Sequence, residues 1–172
     1  MRKTADGIPV SVADLVRRPT RRRDVRLDAH LDDLATSSAS VPADHPVRID
    51  VVLESVSDTI VVTGHAEATW RGECRRCLRP VGGTVGTSLR EIFERDPEEG
   101  ATYPLAGDEV DLAPMVREAV LLELPLAPLC RDDCAGLCPR CGADRNEADC
   151  GCDLTAKDPR WAALEGLDLP EG

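Results

Sequence analysis

Residues 47–77, VRIDVVLESVSDTIVVTGHAEATWRGECRRC, decide the fold of this chain. Val47, Ile49, Val51 and Leu53 alternate with Arg48, Asp50, Val52 and Glu54, so one face of this segment is apolar and a strand is expected. Ser57 and Asp58 mark a turn. A return strand over residues 59–70 sets Ile60, Val62, Ala66, Ala68 and Trp70 on one face. His65 falls on the other, beside Thr63 and Glu67, where a solvated strand histidine is expected rather than a ligand. The strand ends just before Cys74-Arg75-Arg76-Cys77. A rigid strand end is a good place to hold half of a metal site.

Six more cysteines follow. Cys130, Cys134, Cys138 and Cys141 crowd into one short stretch, and Cys150 and Cys152 close it. Thiolates spaced this tightly can point from short turns at one ion, and tetrahedral Zn²⁺ is the usual occupant. Cys138-Pro139-Arg140-Cys141-Gly142 is a knuckle turn, in which the glycine permits a positive φ and backbone N–H groups can donate to the sulfurs. Eight cysteines divide into two four-cysteine sites, so two structural zinc ions are expected.

The bulk numbers bound the rest. At 172 residues the chain is one domain, or one domain with a small appendage. Its core must be aliphatic, because Trp70, Phe93, Tyr103 and Trp161 are the only aromatic side chains besides histidine. No apolar run is long enough to span a membrane, and residues 1–6 lead into no apolar stretch of the kind a signal peptide needs. A cytoplasmic protein is expected, in a compartment that keeps thiols reduced and so disfavours disulfides.

The net charge of −11 is uneven. Residues 1–26 hold eight basic and three acidic residues, a balance of +5; the remainder holds 13 basic and 29 acidic residues, a balance of −16. The body therefore repels a polyanion, and any phosphate contact has to be local.

In chain order, residues 8–18 suggest a short helix with Ser11 as cap and Asp14 three residues on. Thr20 to Arg23 form a basic arm, either a solvated charge run or, with Arg17, Arg18, Arg21, Arg22 and Arg23, a phosphate-binding arm. Residues 35–46 are small and polar and suggest a loop. Residues 84–93 suggest a third strand, weakened by Gly86 and Ser88, and residues 94–109 a solvated excursion. The clearest helix starts at Asp111, repeats Leu112, Met115, Val116, Ala119 and Val120, and ends at Pro125. Asp158-Pro159-Arg160-Trp161 suggests one more turn. The expected fold is α+β: a small antiparallel sheet, one main helix and a cysteine-rich, zinc-binding C-terminal segment. Residues 1–46 would carry the N-terminal helix, arm and loop, 47–129 the body, and 130–172 the tail.

The combination of Gly72-Glu73-Cys74-Arg75-Arg76-Cys77-Leu78-Arg79-Pro80-Val81, Leu124-Pro125-Leu126-Ala127-Pro128-Leu129-Cys130 and Leu137-Cys138-Pro139-Arg140-Cys141-Gly142 resembles the YceD family. These bacterial proteins are known as large ribosomal RNA subunit accumulation proteins, with relatives in plastids. The resemblance implies a link to ribosome assembly. It places the family's first cysteine pair on Cys74 and Cys77, its next segment on Cys130 and Cys134, and a later knuckle on Cys138 and Cys141, closed by Cys150 and Cys152. Some members lack the later knuckle, which implies that the first four cysteines work as one site. A swapped arrangement, in which Cys138 and Cys141 complete the first site, stays open. This chain departs from the family at Asp144-Arg145, where a neutral pair is common.

Three functions compete. A non-catalytic assembly factor would bind a large-subunit ribosomal RNA precursor or a basic ribosomal protein, with Arg75 and Arg76 either touching phosphate or neutralising thiolates. A thiol oxidoreductase would use Cys74 and Cys77, but that needs a βαβ context the chain lacks. A zinc hydrolase needs an open ligand position and a general base, which an all-cysteine set does not offer. No phosphate-binding loop, nucleophile elbow or other small-molecule motif is present.

Overall fold

The computed structural model describes residues 7–17, 21–154 and 160. Its centre is the expected hairpin, β4 (Val47–Val56) and β5 (Thr59–Glu73), turned at Ser57 with φ 55°. Val47, Ile49, Val51 and Leu53 of β4 are fully buried, as are or nearly are Ile60, Val62, Ala66 and Ala68 of β5. Arg48, Asp50 and His65 face outward.

The architecture departs from the α+β expectation. It is a predominantly β protein: one eight-stranded sheet curled into a half-barrel, with two helices among the described residues. The neighbours of β4 and β5 are β2 (Arg22–Ala29), β3 (Ala39–Ser40) and β6 (Pro80–Glu94). β2 pairs with β4, while β6 pairs with β5 over residues 80–93 and β3 with its far end at Arg71 and Gly72. Three short strands, β1 (Pro9–Ser11), β7 (Tyr103–Ala106) and β8 (Glu109–Asp111), complete the order β1-β8-β7-β6-β5-β4-β2. β7 meets β6 in parallel at Phe93 and Glu94; every other pairing is antiparallel.

β2 is not expected from the sequence as a strand, and β6 is expected only over residues 84–93; both differences have a physical reason. β2 carries a period-2 pattern beneath its charges: Val25, Leu27 and Ala29 pack against the core, while Arg22, Asp24, Arg26 and Asp28 are exposed. β6 is glycine-rich, but β5 supplies the missing bulk, since a Cβ on Gly83 would lie 3.3 Å from Trp70 Nε1 and one on Gly86 2.8 Å from His65 Nε2. Part of the expected excursion becomes the β7–β8 hairpin, turned at Gly107 with φ 65°.

The expected helix over 8–18 is instead β1 followed by a single turn, α1 (Ala13–Arg17), which buries Leu15. The main helix is α2 (Ala113–Glu123). Asp111 stands one residue before its N-cap, Leu112, and accepts N–H donors from Ala113 at 3.0 Å and Ile8 at 2.7 Å, so one carboxylate fastens both the helix start and the N-terminal strand. Pro125 forces Leu124 to extended backbone, ψ 132°, and the helix stops. Met115, Val116 and Val120 join the strand residues around Phe93, which stacks on Tyr103 with ring centroids 5.4 Å apart. The turn expected at Asp158–Trp161 lies outside the described residues, apart from Arg160.

Candidate metal centres

The cysteines form a second cluster, separate from the aliphatic core. Cys74, Cys77 and Cys134 are buried and pack with Val81, Leu129 and Leu137. β5 delivers Cys74 at its end, and a tight turn follows. Leu78, at φ 59°, donates its N–H to the Cys74 carbonyl, and Cys74 N–H donates to Arg79 O. The segment after α2 returns alongside this turn: Arg75 N–H donates to Pro128 O, and Leu137 N–H to Arg76 O. Cys130 and Cys134 are thereby set beside the first pair.

The sulfurs gather as two quartets, Cys74/Cys77/Cys130/Cys134 and Cys138/Cys141/Cys150/Cys152, each with all four sulfurs within 4.8 Å of one another. In the first, Cys74 Sγ lies 3.8 Å from Cys134 Sγ, and Cys77 Sγ lies 3.6 Å from Cys130 Sγ. A tetrahedron with Zn–S bonds of ~2.3 Å has sulfurs about 3.8 Å apart, whereas a disulfide needs ~2.05 Å. All eight cysteines are free thiols, and each quartet has the spacing and donor set to hold a metal ion. In the second quartet Cys138 N–H donates to Ala143 O and Gly142 N–H to Cys138 O, with Gly142 at φ 74°. This is the knuckle turn expected from Cys138-Pro139-Arg140-Cys141-Gly142.

Hydrogen-bond donors lower Cys74 and Cys134 in the first quartet and Cys138 in the second. Burial is the strongest single influence on Cys74 and opposes ionisation, but N–H donors of Cys130, Cys77 and Arg76 outweigh it and bring the thiol down to about 6. N–H donors of Cys141 and Arg140 hold Cys138 at about 6. Cys130 is pushed up to about 12 by desolvation and then by hydrogen bonds with Cys134 and Cys77. Hydrogen bonds with Cys141 and Cys150 push Cys152 up to about 12. A cation bound by four sulfurs displaces whatever thiol protons remain, so its affinity falls as pH falls.

Residues not foreseen from the sequence join the two quartets. Asn146 donates its side-chain N–H to Cys134 Sγ at 3.5 Å and accepts from Ala135 N–H and from Arg131 Nη2, both at 2.8 Å. Asp144 lies 2.7 Å from Arg79 Nη2 and accepts from Asn146. Those Asn146 donors, with Arg79, hold its carboxyl below the usual range. The departure at Asp144 therefore has a partner, Arg79, which also pairs with Glu147. Cys141→Ser is thus expected to remove the second metal and to loosen more than the tail, lowering sheet stability by about 1 kcal/mol through Arg79 and Asn146. Zinc analysis and denaturant unfolding of the variant would check both effects.

The arginines divide. Arg22 is paired with Glu54. Arg23 meets Asp14 at 2.6 Å and also donates to Ser11 O, so the expected arm is the first part of an edge strand fastened to α1. Arg76 donates to Cys134 O at 2.9 Å and Asp132 O at 3.2 Å, holding the cysteine segment in place. Arg17, Arg21 and Arg75 are exposed, with no ion pair among the described residues. Arg18 lies outside the described residues. No helix among those residues is long and apolar enough to cross a membrane.

The fold and the sulfurs define a class: a curled β-sheet protein whose strand end and C-terminal segment share two four-cysteine clusters. A family profile described as large ribosomal RNA subunit accumulation protein YceD matches residues 62–168, and the chain belongs to this family. An uncharacterized protein of Mycobacterium tuberculosis (strain ATCC 25618 / H37Rv) is 34% identical over 183 aligned residues, covering 99% of this chain and 86% of that protein. The Bacillus subtilis (strain 168) protein YlbN is 27% identical over 146 residues, 80% of this chain and 83% of its own. An Arabidopsis thaliana protein named large ribosomal RNA subunit accumulation protein YCED homolog 1, chloroplastic, is 32% identical over 72 residues, 42% of this chain and 22% of its own. No solved structure matches the chain.

Proposed function

We propose that this protein is a non-catalytic, zinc-binding factor that supports accumulation of large-subunit ribosomal RNA and ribosome assembly in the cytoplasm. The observation that carries the reading is the pair of all-cysteine quartets in a chain of the YceD family. Four thiolates close the coordination sphere of Zn²⁺ and leave no position for water or substrate, which is the character of a structural site. Cys74, Cys77, Cys130 and Cys134 would hold one ion and Cys138, Cys141, Cys150 and Cys152 the other. Bound zinc would supply cross-links between the strand end and the C-terminal segment. The name carried by the plant relatives supports the ribosomal RNA part. The rival reading, a thiol oxidoreductase at Cys74 and Cys77, finds no helix-linked parallel strands among the described residues to support it, and both thiols are buried.

The test is metal analysis together with particle association. The purified protein is expected to hold two zinc equivalents and to keep them under a thiol-blocking reagent, while cells lacking it accumulate less large-subunit RNA. A metal-free protein that the reagent labels rapidly at Cys74 would favour the redox reading. For contact with RNA, Arg17, Arg18, Arg21 and Arg75 are the cations to test, since Arg22, Arg23 and Arg76 serve the fold. Arg21→Ala with Arg75→Ala is expected to leave zinc content intact and to weaken association with large-subunit precursors. The salt slope should fall by roughly 1.5 for two lost phosphate contacts. Co-sedimentation across a salt series measures it, and an unchanged slope would mean that neither arginine touches phosphate.

A further inference from the structure

The outer edge of β6 is open. β5 pairs with one side of β6 from Pro80 to Phe93, while β7 reaches the other side only at Phe93 and Glu94. Among the described residues no strand covers the rest of that side, so alternate main-chain N–H and C=O groups there lack a ladder partner. An open groove of about 430 Å³ runs beside it, lined by Thr87, Ser88 and Glu91 of β6 and by Glu118, Leu122 and Glu123 of α2. Leu122 is 81% exposed at the rim. Among the described residues no lysine, arginine or histidine lines the groove.

We infer that this groove receives an extended, lysine- or arginine-rich segment of a protein partner, which adds a strand to β6 and sets its cations against Glu91, Glu118 and Glu123. Two independent features select that occupant. An unpaired strand edge is satisfied by another main chain, not by a lone cation. The three carboxylates then choose a basic peptide and repel phosphate. Burial and the Glu118 charge both push the Glu91 carboxyl up, so these acids crowd one another with no cation between them. Tyr103 Oη donates to Glu118 Oε2 at 2.7 Å and holds that carboxylate at the wall. Residues 87–91 span about 17 Å of strand, enough for five residues of a partner, with Leu122 offering an apolar contact at one side. The assignment rests on the assembly-factor reading only for the source of the segment, because basic tails belong to proteins that bind nucleic acid.

The experiment uses the full-length, metal-loaded protein and a fluorescein-labelled peptide of about eight alternating lysines and valines. Its control is the same peptide with alternate backbone amides N-methylated, equal in charge but unable to form a ladder. Anisotropy is expected to show binding of the first peptide and about tenfold weaker binding of the second. Hydrogen exchange at residues 87–91 should slow with the first peptide alone. Glu91→Gln with Glu118→Gln should weaken binding about tenfold and flatten its salt dependence. Equal binding of the two peptides, unprotected 87–91 amides or an unchanged affinity in the charge variant would each overturn the assignment. Should the double variant misfold, Leu122→Lys on the exposed rim provides a second reading, expected to weaken binding, with unchanged affinity again overturning it. Peptide binding is measured on the isolated protein, so its failure would leave zinc content and particle association untouched. Failure of particle association with peptide binding intact would instead remove the assembly-factor reading alone.

Discussion

Cys74→Ser is expected to lose one of two zinc equivalents and to destabilise the whole sheet. Cys74 is fully buried at the end of β5, the strand that pairs with β3, β4 and β6. Its metal would tie that strand end to Cys130 and Cys134, the latter 60 residues further on. Serine is a poor soft ligand, and the buried Cys77 and Cys134, with the exposed Cys130, would be left without their cation. The loss should be on the order of 4 kcal/mol, as for other lost metal sites, and should lower the melting temperature by roughly 8–16 °C for a domain of this size. Chelation of the parent protein should do the same, and acidification should release the metal as the sulfurs regain protons. Zinc stoichiometry and thermal melts measure these effects. An unchanged metal count in Cys74→Ser would place Cys74 outside any centre.

Gly64→Ala is expected to cost about 3 kcal/mol or more, a large effect for one methyl group. Gly64 sits midway along β5, paired with Val51 on one side and Leu89 on the other. A Cβ there would run into the Asp50 carbonyl oxygen and come within 2.6 Å of Val51 Cα, both main-chain atoms that cannot swing aside. The residue also holds φ at 159°, so alanine would have to shift the backbone as well. The missing side chain is what lets β4 lie so close. Denaturant unfolding should show the loss, with zinc still bound in the fraction that folds. A variant as stable as the parent would mean that β4 and β5 stand farther apart than described here.

The sequence made the centre of the fold legible and hid its margins. β4 and the first part of β5 have strict period-2 alternation, and both strands lie where that pattern puts them. β5 continues through Arg71, Gly72 and Glu73, polar residues held in the strand by pairing with β3 and β6 rather than by any pattern of their own. β2 was hidden because its exposed face is so highly charged. Those charges have cross-strand partners, Glu54 for Arg22 and Asp50 for Arg26, which only the register reveals. β1, β7 and β8 are three or four residues long, too short for periodicity, and β1 joins the sheet only through β8, more than ninety residues further on. The cysteine spacings marked candidate ligands, but Asn146 and Asp144 are ordinary loop residues in sequence and acquire their roles only when the knuckle folds back onto Arg79 and Cys134.

The distance along the chain between the two halves of the first quartet has a consequence for synthesis. Ile8, near the beginning, finds the Asp111 carboxylate only after 103 further residues have been made, and Cys77 waits 53 residues for Cys130. Until Asp111 is made, a nascent chain carries an open sheet with bare strand edges, and until Cys130 and Cys134 follow, Cys74 and Cys77 stand without their counterparts. Such a chain is vulnerable to proteolysis and to pairing with the wrong partner. Closure therefore has two stages: a molecule cut between Asp111 and Cys130 keeps the sheet's long-range pairings but lacks half of the first quartet. With zinc in the quartet, as proposed, the second stage would depend on how much of the metal is at hand in the moments after that half emerges.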